Sequence, residues 1–158
     1  WTAGEVSHAL TLGYSLAIIG YACGGALLDV IGRRVTASVF FVTGAIAAWV
    51  CFTAHDATVI TVAYIVVLGM HALWPVAATI TSEIFPTAQR ATANALVNNL
   101  LGRTGMAIAP AVVGALSAWL GSVGQAVAVV ALVPLLVLPV ILYAVRESRG
   151  QELERLND

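Results

Sequence analysis

Four groups of residues in this chain can do chemistry, and each lies beside or inside an apolar run. The first is Gly25 to Arg34, where Asp29 stands four residues before Arg33, with Gly32 and Arg34 beside it. That spacing lets a carboxylate meet a guanidinium across one helical turn, or cap a neighbouring helix end. Glu83 to Arg90 forms the second group, and Glu147-Ser148-Arg149-Gly150 the third; both again carry both charge signs. Salt bridging between helix ends is the chemistry these three allow. The fourth is Asn98-Asn99 followed by Arg103, deep in an apolar segment.

An arginine at mid-membrane depth costs about 2.5 to 3.5 kcal/mol on insertion scales, so Arg103 needs a partner or a wet cavity. Asn99 lies four residues before it on the same helical face, and Asn98 is a close neighbour. The forked donors of Arg103 suit a substrate carboxylate. The alternative is a structural role, pairing with an acid elsewhere or with a helix C-terminus. His71 and Trp74 precede Pro75, which loosens a helix locally. His71 could relay protons or touch substrate; packing and hydrogen bonding are the plainer role for a lone membrane histidine.

Other chemistry is missing from the pattern. There is no His-Glu-x-x-His or Gly-x-Ser-x-Gly motif and no paired carboxylates inside an apolar run, so no enzyme activity, metal or cofactor is expected. Cys23 and Cys51 fall inside apolar runs at a spacing that fits neither a metal site nor a disulfide framework, and read as small packing residues.

The elements that must position these groups follow from composition. Of the 158 residues, 60% are hydrophobic and 9% charged, against roughly a quarter charged in a soluble domain. Such a chain cannot face water over its whole surface, and its apolar runs reach the roughly 20 residues that cross about 30 Å of hydrocarbon. Five spans are predicted, near residues 6–28, 35–53, 58–81, 93–120 and 123–145, with a tail over 146–158. The expected fold is an all-α polytopic helical bundle in a lipid bilayer.

An odd number of crossings puts the two ends on opposite sides. Arg33, Arg34, Arg90, Arg146, Arg149 and Arg155 then share one side, whereas His55-Asp56 and Gly121-Ser122 carry no Lys or Arg. Since cytoplasmic loops collect basic residues, the C-terminus is expected in the cytoplasm. The net charge of −1 averages over this sorting, and no nucleic-acid partner is expected. Gly13, Ala17, Gly20 and Gly24 give the first span a flat strip for close helix approach. The second and fifth spans are plain enough to face lipid, while the more polar third and fourth should face protein or water.

Gly25 to Arg34 resembles the Gly-x-x-x-Asp-x-x-Gly-Arg-Arg loop motif of the major facilitator superfamily, departing from it at Val30. Glu83 to Arg90 is similar to the Glu-x-x-Pro-x-x-x-Arg signature of its sugar-porter and organic-ion branches. Glu147 to Gly150, followed by Leu153-Glu154, resembles the Pro-Glu-Thr-Lys-Gly segment after the last helix, with Arg146 in place of proline. Gly102-Arg103-x-Gly105 with Pro110 is similar to the helix-eleven pattern of organic-ion and aromatic-acid transporters.

The resemblance implies a twelve-helix fold of which these are helices eight to twelve, with an N-terminal half as the missing partner. A start at Trp1 fits a piece of a longer polypeptide. It further implies a plasma (inner) membrane symporter that moves a small organic solute by alternating access, with a proton as the coupling ion. Organic anions or aromatic acids, sugars and drug-like ions are the solute classes. Gly25, Asp29, Gly32, Arg33, Arg34, Glu83, Arg90, Glu147 and Arg149 would form the cytoplasmic gate; Arg103, Asn99, Asn98, His71 and Trp74 would line the solute path. A channel or a membrane scaffold is the rival reading.

Overall fold

A computed structural model describes residues 2–145 and 147; Arg149, like the rest of the tail, lies outside the described residues. Among the described residues, five helices long and apolar enough to cross a membrane follow one another: Ala3–Ile31, Arg33–Thr53, Ala57–Ile84, Thr87–Leu120 and Val123–Ala144. The protein is thus an all-α polytopic membrane bundle. Ala3–Ile31 runs three residues past the apolar stretch at each end, because backbone bonding continues into the polar interface where hydropathy falls.

The two ends of the bundle are closed by different means. At the arginine-poor end, small polar side chains cap the helices. Thr2 and Glu5 form a reciprocal capping box, with the Thr2 N–H donating to Glu5 Oε2 at 2.7 Å. Asp56 accepts from the Val59 N–H at 2.9 Å, and Ser122 accepts from the Gln125 N–H at 3.4 Å. Gly121 ends the fourth span in the left-handed conformation, at φ +76°.

Close approach of small residues sets the middle of the bundle. The strip on the first span meets the third: a Cβ on Gly13 would lie 2.8 Å from Leu68 Cβ, and one on Gly20 would lie 3.0 Å from the Gly69 carbonyl oxygen. Gly13, Ala17 and Gly24 are buried there. The second span is less peripheral than its plain composition implies, since it packs against the first, third and fifth spans. Leu28, Ala37, Val76 and Ile141, one from each of these four spans, form a core cluster backed by Phe41, Ile80 and Val145.

Three spans are irregular. The third changes to a 3-10 turn at Met70–Ala72, shortly before Pro75, and the fifth does so at Val133–Val137, which contains Pro134. Each proline removes a backbone donor. The fourth holds a seven-residue π-helical segment, Leu96–Gly102. That span packs on the third through Arg90–Ala95 and on the fifth through Arg103–Leu120, and no residue of its most apolar stretch is buried.

Candidate functional site

Charge gathers at the arginine-rich end, directly above the core cluster. Arg33 is only 8% exposed. Its Nη2 lies 2.7 Å from Glu83 Oε1 and its Nε 3.0 Å from Glu83 Oε2, a side-on, two-point pair. Arg33 Nη1 donates to the Leu28 carbonyl at 2.9 Å and reaches Asp29 Oδ1 only at 3.4 Å. The Asp29 side chain is 77% exposed, against 10% for Glu83. Glu83, not the nearby Asp29, is therefore the main partner of Arg33.

Glu147 closes the other side of this cluster through the backbone. Its Oε1 accepts from the Arg33 N–H at 2.9 Å and its Oε2 from the Arg34 N–H at 3.3 Å. Those are two of the unsatisfied donors that begin the second span, at its positive dipole end. Arg34 Nε in turn donates to the Val145 carbonyl at the end of the fifth span. The second and fifth spans thus cap one another.

Gly32 makes room for this clasp. Its φ of +93° and ψ of 168° fall in a region essentially restricted to glycine. A Cβ there would lie 2.5 to 2.8 Å from the Glu147 carboxyl atoms. Gly25, in the same loop motif, has nothing within 4 Å of a built Cβ. Arg90 Nε donates to the Phe85 carbonyl at 3.2 Å, so it braces the turn between the third and fourth spans.

A second locus lies in the middle of the fourth span. Trp74, Asn98, Asn99, Arg103 and Met106 line a cleft of about 710 Å³. Arg103 is exposed to it and has no hydrogen-bond or ion-pair partner among the described residues. Trp74 is 43% exposed, and its ring lies over Gly102, where a Cβ would sit 3.5 Å from the indole. Asn98 makes a long contact of 3.5 Å to Asn94. The cleft joins a forked cation, two amides, an indole and a thioether, which together can bind an acid group on an apolar or aromatic body.

His71 is not among the residues that line this cleft. Its Nδ1 lies 2.8 Å from the Leu68 carbonyl, which can only accept, so Nδ1 holds the proton when the ring is neutral. Tyr14 of the first span faces the ring at 6.1 Å between centroids. Among the described residues no cluster of His, Cys, Asp and Glu could hold a metal ion.

Sequence reasoning missed the π-helical segment and the capping role of Glu147. The first leaves no mark in an apolar run, and the second depends on how the fifth span returns to the second. The fold and the charge clasp define a polytopic membrane protein whose helix ends are tied at one face. The chain belongs to the Major Facilitator Superfamily, whose family model matches residues 1–157. That superfamily is one of membrane transporters. The chain has no match among curated proteins or solved structures.

Proposed function

We propose that this chain is the helix-eight-to-twelve part of a twelve-helix secondary transporter that carries a small organic anion by alternating access. The single observation that carries this reading is Arg103, an exposed guanidinium at the middle of a membrane span, beside Asn98, Asn99 and Trp74. A charge at that depth is costly, so its use lies in what enters the cleft. The solute's carboxylate would meet Arg103 and the amides, and its body Trp74 and Met106.

The charge clasp serves the same cycle by making these helices move together. Arg33–Glu83 ties the second span to the third, and the Glu147 and Arg34 contacts tie the second to the fifth. A bundle so fastened can rock as one body against the opposite half. The clasped face is cytoplasmic in this reading, the membrane is the plasma (inner) membrane, and the coupling ion is a proton. His71 Nε2, left as the free acceptor, is the candidate proton carrier.

The test uses the full-length transporter in proteoliposomes, challenged with organic anions, organic cations and sugars. Arg103→Lys keeps the charge but loses the fork, so the KM for a carboxylate should rise about ten-fold or more. Unchanged anion affinity in that variant, or transport confined to sugars, refutes the reading. An uncoupler should abolish concentrative uptake; downhill flux that ignores it would point to a channel.

A further inference from the structure

The π-helical segment Leu96–Gly102 stands between α-helical Arg90–Ala95 and Arg103–Leu120. An α-helix turns about 100° per residue, so five residues would set Asn98 and Arg103 about 140° apart, on different faces. The wider i→i+5 turn narrows that angle. Both side chains accordingly line one cleft, together with Asn99. None of its seven residues is buried among the described residues, and a Cβ built on Gly102, which ends it, would lie 3.5 Å from the Trp74 ring. π-Helical turns are rare and concentrate at functional sites.

We propose that Leu96–Gly102 is a register switch for the cleft. In the π form Asn98, Asn99 and Arg103 converge on one anion; conversion to α-helix swings Asn98 away from Arg103 and releases it. The exchange replaces i→i+5 with i→i+4 bonds, and because an α turn holds one residue fewer, one flanking helix turns by about 100° against its neighbour as it happens. A bound carboxylate favours the π form through the hydrogen bond it gains, which shifts the population roughly ten- to hundred-fold. This inference rests on the reading of the Arg103 cleft as the solute site and adds what controls it.

A π turn holds one residue more than the α turn it replaces, so deleting exposed Leu100 converts the segment while the flanks keep their faces. Asn98 and Arg103 then stand four apart and stay converged. With benzoate as the probe carboxylate and the full-length transporter in proteoliposomes, the deletion should leave the Kd within about three-fold. Exchange should slow about ten-fold or more, because release needs the switch. Exchange at the wild-type rate overturns the proposal, and so does a folded deletion variant that no longer binds benzoate.

A second measurement does not depend on the deletion. Backbone amide hydrogen exchange over Leu96–Gly102 in the unmutated full-length transporter reads the interconversion directly, since i→i+5 and i→i+4 bonds exchange only through broken ones. Saturating benzoate should slow that exchange about ten-fold or more by holding the π form. Amide exchange in this segment that ignores benzoate overturns the switch. An Arg103→Ala protein that binds benzoate as the wild type does would instead refute the solute-site reading.

Discussion

Arg33 and Glu83 meet side-on across two spans, Nη2 to Oε1 at 2.7 Å and Nε to Oε2 at 3.0 Å, with 10% of each side chain exposed. Asp29 touches the same guanidinium at 3.4 Å from a side chain that is mostly in solvent. Burial decides the difference. An exposed pair contributes about 0 to 1 kcal/mol. Removing one partner of a buried pair costs about 2 to 5 kcal/mol, because the other charge is left uncompensated. Glu83→Gln should therefore lower the thermal midpoint in detergent far more than Asp29→Asn. Equal effects of the two would show that Arg33 is not buried in this arrangement.

The loop motif contains two glycines that the structure separates. Gly32→Ala forces a residue into a backbone region that costs about 1 to 3 kcal/mol, and its Cβ also strikes the Glu147 carboxylate. Gly25→Ala meets nothing within 4 Å, and removing a helical glycine gains up to about 1 kcal/mol. The Gly32→Ala variant should lose stability and the Gly25→Ala variant should not. Combining Gly32→Ala with Glu147→Ala should cost less than the sum of the two, since the clasp is lost only once. Strict additivity would separate Glu147 from the Gly32 turn.

How much of this was legible varies with the kind of interaction. The five crossings follow from long apolar runs between arginine-bearing joints, a signal that membrane thickness imposes directly. The meeting of Arg33 and Glu83 at one end also follows from counting crossings. Which acid Arg33 chooses does not. Asp29 is closer in sequence, but Glu83 is brought in by packing of the second span on the third. The 3-10 turn at Met70–Ala72 had a signal in Pro75, and the turn at Val133–Val137 had one in Pro134. The π-helical segment had none, because an apolar run looks alike at periods of three, four or five residues. Asn98 reads as a close neighbour of Arg103, but the wider turn that lets residues five apart share one cleft could not be seen for the same reason.

Packing of the first span on the third depends on Gly13. A Cβ there would lie 2.8 Å from Leu68 Cβ and 3.1 Å from Cγ, so the helices must separate or Leu68 must leave its place. Overpacking of this kind costs about 1 to 3 kcal/mol. Gly13→Ala should lower the detergent midpoint, and Leu68→Ala in the same chain should recover part of the loss. A Gly13→Ala protein as stable as the wild type would place the close approach elsewhere.

The sorting of helix-end devices predicts the sidedness of the bundle. Thr2, Asp56 and Ser122 cap helices where the joints hold no Lys or Arg, while Arg33, Arg34, Glu83, Arg90 and Glu147 lie at the alternate joints. Five crossings require these two sets to emerge on opposite faces, and basic residues are retained on the cytoplasmic one. In sealed right-side-out vesicles of a Cys-free background, an impermeant maleimide should label His55→Cys and Gly121→Cys. It should reach Arg34→Cys and Arg90→Cys only after the membrane is opened. Labelling of Arg34→Cys and Arg90→Cys from opposite sides would break the five-span order itself. Labelling of both from outside would keep the order and invert the bundle, moving the charge clasp to the outer face.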